Sequence, residues 1–255
     1  MSMICFGQHH PLVGTWEMVS IKGIDAEGEP FFRDTTTTRE VKIITPTHYM
    51  LIASDVRADS LIFNRSYAGT VAINGDNYIE TPVQSSLPIF SDVKADYKWK
   101  LDGDYFIQSG SVTRPDGKKV VLEALIFKRV VSPKGFDQNP AIGTWSQLSS
   151  SYIDFDGNRK MHTRDQATRL HIITPTHWMR ISHRNKKFEN AMAGSYKLVE
   201  NVTIPTLEYA SYRFEMNDQV SMSERVDGNK LYVTGKLIKA DGRTMTWEDV
   251  FERVP

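Results

Sequence analysis

The sequence predicts an all-β chain folded as two tandem antiparallel barrels. Three observations carry this. The chain is written twice: Gly14-Thr15-Trp16 recurs as Gly143-Thr144-Trp145, and Ile43-Ile44-Thr45-Pro46-Thr47-His48 recurs as Ile172-Ile173-Thr174-Pro175-Thr176-His177, each 129 positions on. Short runs rich in Val, Ile, Thr, Tyr and Phe are punctuated by Asn74-Gly75, Asp102-Gly103, Asp116-Gly117, Asp156-Gly157, Asp227-Gly228 and Asp241-Gly242. Such pairs tolerate positive φ and favour tight hairpins. No long segment combines a helical period with caps at both ends. Regularly spaced short strands argue for a meander that closes on itself, because closure removes exposed sheet edges. About eight strands leave an interior large enough for one small ligand.

The repeat sets the expected boundaries. Ala68-Gly69 pairs with Ala193-Gly194, and Asp116-Gly117 with Asp241-Gly242, both 125 positions on, so a shorter loop in the second copy absorbs the drift. Arg129-Val130 and Arg253-Val254 end the copies. The reading is an N-terminal tail over 1–10, a first barrel over 11–130, a turn-rich linker over 131–139 and a second barrel over 140–255.

Composition removes several function classes. The 255 residues carry 31 basic and 31 acidic side chains, a formal net charge of zero. Nucleic-acid binding draws on a basic surplus, so neither nucleic acid nor an acidic membrane surface is expected as a partner. The single cysteine, Cys5, excludes an intrachain disulfide framework and a multi-thiolate zinc site. No run reaches the roughly 18 apolar residues of a membrane span, and Met1–Pro11 does not read as a signal peptide, so a cytoplasmic location is expected. A homodimer is left open. His9-His10 reads as part of the tail. No Walker loop, Gly-x-Gly-x-x-Gly, His-Glu-x-x-His, Cys-x-x-Cys or Gly-x-Ser-x-Gly motif occurs. No cofactor and no metal are expected, although barrel strands can bring scattered His and Glu ligands together.

Side-chain alternation then sorts the strand faces. His48, Met50 and Ile52 share one face; Tyr49, Leu51 and Ala53 share the other. In the second copy His177, Met179 and Ile181 stand against Trp178, Arg180 and Ser182. Arg180 makes its own face the poorer interior candidate. His48 and His177 are therefore expected to point into the barrels, with Met50, Ile52, Met179 and Ile181 as ligand contacts. Tyr78 and Glu80 share a face on a neighbouring strand, Glu208 follows Thr206 in the second copy, and Arg39 alternates with Glu40. Each barrel would then hold a His and a Glu. The competing readings are a satisfied core histidine, a bulge that turns Glu80 and Glu208 to solvent, and Arg39 capping a barrel mouth or lying outside.

Gly14-Thr15-Trp16-Glu17-Met18-Val19-Ser20 and Gly143-Thr144-Trp145-Ser146-Gln147-Leu148-Ser149 resemble the opening strand of the calycin superfamily, the lipocalins and fatty-acid-binding proteins. With the Ile-Thr-Pro-Thr-His block, nearly the whole chain is similar to bacterial lipocalin-like domains. The resemblance implies that each Trp packs at a closed barrel end beneath an Arg of the last strand, here Arg129 and Arg253. The Thr-Asp-Tyr motif of secreted lipocalins and the two helices of fatty-acid-binding proteins are not found. The fold also hosts cofactor-free cyclases and isomerases.

The chemistry that remains is acid–base work in an apolar cavity. The expected function is a cofactor-independent isomerase, cyclase or lyase acting on an apolar, aromatic or polyketide-like small molecule. His48 or His177 would be the base, Glu80 or Glu208 the acid, and Tyr78 and Arg39 the partners of developing oxyanion charge. The alternative is a carrier of a small hydrophobic ligand without turnover.

Overall fold

The computed structural model describes residues 10–58, 60–88, 93, 95–199, 202–212 and 218–254. Cys5 and His9 lie outside the described residues. The first copy forms β1 (Gly14–Ile24), β2 (Pro30–Asp34), β3 (Thr38–Ile44), β4 (His48–Arg57), β5 (Ser60–Asn74), β6 (Asn77–Ser85), β7 (Ala95–Asp102), β8 (Tyr105–Thr113) and β9 (Lys119–Arg129). The second forms β10 (Gly143–Ile153), β11 (Arg159–Thr163), β12 (Ala167–Ile173), β13 (His177–Arg184), β14 (Lys187–Val199), β15 (Val202–Pro205), β16 (Tyr209–Ala210), β17 (Gln219–Asp227), β18 (Lys230–Ile238) and β19 (Thr244–Arg253). A short 3-10 turn over Phe136–Gln138 sits between the copies.

Each copy closes into an antiparallel barrel of eight staves. One edge of β1 is shared, with Gly14–Glu17 paired to β3 and Ser20–Ile24 to β2, while β9 runs along its other edge. The second copy repeats this with β10 between β11, β12 and β19, and β16 added beside β14. The two-residue turns need positive φ, and Gly103 and Gly228 supply it at equivalent hairpins with φ 57° in both. Gly69 and Gly194 answer a different need. A Cβ at Gly69 would sit 2.0 Å from the Thr81 carbonyl oxygen, and one at Gly194 would sit 1.9 Å from that of Thr206. The repeated Ala-Gly pair is thus a place where neighbouring strands come too close for a side chain.

The Trp–Arg closure implied by the resemblance is present in both barrels. The Arg129 guanidinium lies 4.1 Å from the Trp16 ring centroid, and Arg253 lies 4.1 Å from that of Trp145. Both indoles are fully buried and donate to a backbone carbonyl four residues earlier, Leu12 at 2.8 Å and Ala141 at 2.7 Å. The contact combines cation–π attraction with satisfied donors.

The two barrels share a dry seam. Val41, Ile43, Met50, Ile52 and Ala68 of the first pack with Leu170, Ile172, Met179, Ile181, Ala191 and Ala193 of the second. Phe63 stacks on Phe188, with centroids 5.8 Å apart. The repeat makes the seam a pseudo-twofold one. Thr15 bonds Thr174 at 2.6 Å, and its counterpart Thr144 bonds Thr45 at 3.0 Å. Inside each Thr-Pro-Thr-His turn the first threonine hydroxyl also accepts from the histidine backbone N–H, at 3.0 Å for His48 and 3.1 Å for His177. The block therefore shapes a turn that grips the Gly-Thr-Trp strand of the other barrel.

This placement corrects the expected strand faces. Met50, Ile52, Met179 and Ile181 lie in the seam and not in either cavity. Tyr49 and Trp178, on the opposite faces, enter the barrel cores. On β4 and β13 both faces are buried, one inside the barrel and one against its neighbour, so alternation carries no inside–outside signal. Among the described residues no helix is long and apolar enough to cross a membrane.

Candidate functional site

Each barrel encloses a cavity, of about 380 Å³ in the first and about 330 Å³ in the second. Both fall in the range of small-molecule pockets. The walls of the first are mostly apolar and include Ile21, Leu51, Val93, Val112, Leu122 and Leu125. Two ion pairs interrupt them. Lys42 on β3 donates to Glu80 Oε1 on β6 at 2.8 Å and to Gln108 Oε1 on β8 at 2.8 Å. Both charged side chains are almost sealed from solvent, at 1% and 6% exposure. Lys42 Nζ also lies 5.0 Å from the Phe127 centroid and 5.7 Å from that of Tyr78. The second pair, Arg65 Nη2 on Glu40 Oε2 at 2.5 Å, has its arginine partly exposed.

Phenols surround the first pair. Burial, followed by the negative charge of Glu80, pushes Tyr49, Tyr78 and Tyr97 well above the ordinary phenol pKa. Burial raises Tyr67 to about 12. All four stay protonated at neutral pH, so each offers a neutral hydrogen-bond donor. Tyr49, Tyr67 and Tyr97 line the cavity itself, whereas Tyr78 packs behind it against Phe106.

Of the residues singled out from sequence, Glu80 reaches this cavity and Tyr78 its core. The histidines do not. His48 is half-buried on the seam face, with Nδ1 2.8 Å from Thr47 Oγ1. His177 is buried on the same face of its own barrel, with Nε2 4.0 Å from Glu208 Oε2. Glu208 is exposed on the loop before β16 and accepts from the Ser195 N–H at 3.0 Å and its hydroxyl at 2.5 Å. Arg39 is exposed and absent from both cavity walls. Its neighbours Glu40 and Lys42 point inward instead. Among the described residues no group of three or more His, Cys, Asp or Glu side chains converges as a metal-ligand set.

Lys42, Gln108, Glu40, Arg65, Tyr49 and Tyr97 were not among the residues picked from sequence. One signal for them existed: β3 alternates Glu40 and Lys42 with Val41 and Ile43, and the second copy keeps polar residues, Arg169 and His171, at the same two positions. In the second barrel His171 pairs with Glu224 at 3.0 Å, both fully buried. Arg180, set aside above as an outward residue, lies inside on Asp249 Oδ2 at 3.1 Å. A carboxylate from β19 makes an inward arginine tolerable, and no local strand pattern reveals so distant a partner.

Burial lowers the pKa of His48, His177 and His183 from the ordinary 6.5, with Glu208 and Glu17 partly opposing this at His177. His183 donates from Nε2 to the Ser85 carbonyl across the seam, at 3.0 Å. Because the folded values are depressed, the unfolded chain binds more protons just below 6.5. Stability contributed by these rings is complete above that pH and is lost as pH falls through the window beneath it. We expect the melting temperature to fall between neutral pH and about pH 5, and to fall less in H177Q/H183Q. Parallel melting profiles for both proteins would refute this.

Comparison with known proteins adds little chemistry. No family model matches the chain, and no curated protein matches it. Among solved structures, it is similar to a protein of unknown function from the DUF3598 family of Nostoc punctiforme, with 12% identity over 95% of this chain and 96% of that one and a TM-score of 0.26. An uncharacterized protein of Saccharomyces cerevisiae matches with 11% identity over 90% and 83%, TM-score 0.40. Kievitone hydratase from Nectria haematococca matches with 8% identity over 99% and 92%, TM-score 0.25. At TM-scores of 0.40 and below, none of the three bears on the chemistry of this chain, which has to be read from its own residues.

Proposed function

We propose that the first barrel is a cytoplasmic, cofactor-independent proton-transfer site, of isomerase, cyclase or lyase type, for an apolar and aromatic or polyketide-like small molecule. The observation that carries the reading is the Lys42–Glu80 pair, a carboxylate and an ammonium held 2.8 Å apart in the wall of a largely apolar cavity ringed by protonated phenols. Glu80 serves as the base toward a C–H next to a carbonyl. The Lys42 ammonium or the Tyr97 hydroxyl donates to the enolate oxygen as charge develops there. Glu80 then returns the proton to carbon or to a leaving oxygen. The eight-stave closure and the stacked Trp–Arg ends support kinship with the calycin barrels. One observation favours a carrier instead: Lys42 is satisfied by Glu80 and Gln108 without any ligand.

Proton exchange separates the two. A panel of aryl alkyl ketones and flavanones, which carry an enolisable C–H, is incubated with the protein in D2O, and exchange next to the carbonyl is followed by NMR. The expected result is accelerated exchange that E80Q cuts by about a hundredfold or more, while H48A and H177A retain it. Binding without accelerated exchange in the whole panel would establish the carrier, and full exchange in E80Q would remove Glu80 as the base.

A further inference from the structure

We propose that the second barrel is a binding site for a small organic anion, an aromatic or apolar carboxylate, and so takes a different ligand class from the first. This stands on other residues than the reading of the first barrel. The second cavity is lined by three guanidiniums, Arg169, Arg180 and Arg184, against two carboxylates, Glu189 and Asp249. Arg184 and Glu189 pair with each other, partly exposed. Deeper in, Asp249 is fully buried and has to serve two arginines, accepting from Arg169 Nη1 at 2.5 Å and from Arg180 Nη1 at 3.1 Å. Two buried guanidiniums thus share a single carboxylate in direct contact.

The cavity wall holds unused hydrogen-bonding groups of both kinds, with Glu189 Oε2 and Asn190 Oδ1 as buried acceptors without a donor among the described residues. Among the described residues, Arg169 Nε, Arg180 Nε and Trp247 Nε1 are buried donors without an acceptor. Arg180 is itself only 5% exposed. Three orphan donors and two guanidiniums that share one carboxylate line one hollow. A buried donor left unpaired costs free energy, and a carboxylate is acceptor-only and binds guanidinium best. The apolar remainder of the wall, Met192, Val220, Leu237 and Met245, suits a hydrocarbon or aromatic body.

The repeat shows that this charge is not imposed by the fold. At the equivalent places the first barrel has Leu51 for Arg180 and Glu40 for Arg169. Asp249, paired with Ser150, corresponds to Leu125, paired with Ile21. In the first barrel each interior cation contacts a carboxylate of its own, while in the second two guanidiniums share one.

The test compares 2-naphthoate with the neutral 2-naphthalenemethanol by titration calorimetry at neutral pH. The full-length protein should prefer the carboxylate by about tenfold or more. R180L and R169Q each remove one guanidinium and leave Asp249 paired with the other, so each should lose that preference. D249N removes the shared carboxylate and should tighten naphthoate binding, a gain that a misfolded variant cannot produce. Equal affinity for the two probes in the wild type, or no tightening in D249N, would overturn the proposal.

Discussion

Replacing Lys42 with Met should cost about 3–5 kcal/mol of unfolding free energy at neutral pH. The lysine is 1% exposed, and Glu80 beside it is equally enclosed. Removing the ammonium leaves a carboxylate in an apolar barrel with no cation in contact. That carboxylate has lost its hydration and gained no counter-charge in return. Replacing both partners by apolar residues, as in K42M/E80L, removes the uncompensated charge. Most of the stability should return, with a shortfall of about 1–2 kcal/mol because the Gln108 carbonyl loses its donor. Urea denaturation of the wild type, both single variants and the double variant closes the cycle. A K42M variant as stable as the wild type would mean that the pair is open to water, and the proposed desolvated base would lose its basis.

The same pair shows where sequence reading stops. The repeat, the turn glycines and the Trp–Arg closures are local or periodic signals, and they delivered the two barrels. The interior did not follow, for a physical reason. Strand alternation assigns faces only when one face meets solvent, and β4 and β13 meet protein on both. His48 and Met50 look like an interior set from their period of two, yet that set is the seam. Arg180 looks like an outward residue until Asp249, 69 positions away, is brought against it. Lys42 needs Glu80 and Gln108 from two other strands. Buried charges are licensed by partners, and partners across a barrel are invisible to local pattern. Thr15 and Thr174 make the complementary point: the most repeated motif of the chain is explained by the barrels holding each other.

Ile181→Asp should have an effect of about 4 kcal/mol or more. Ile181 is fully buried, and its seam neighbours are aliphatic. An aspartate there loses its hydration and meets no cation in that cluster, so the seam must open, or the second barrel must unfold around it. Each barrel closes its own sheet through β1–β9 or β10–β19, so the hydrogen-bonded staves do not depend on the seam. Opening is therefore the expected response. The variant should show two separate calorimetric transitions in place of one and a larger hydrodynamic radius, with new proteolytic cleavage in the stretch between Arg129 and Gly143. Ile52→Asp attacks the pseudo-symmetric position and should do the same. An exposed apolar residue such as Phe32, 65% accessible on β2, gives the matched control, since Phe32→Asp removes no packed contact of the seam. If I181D melts in one unshifted transition, the two barrels do not bear on each other through these residues. The Thr-Pro-Thr-His turns would then need another explanation.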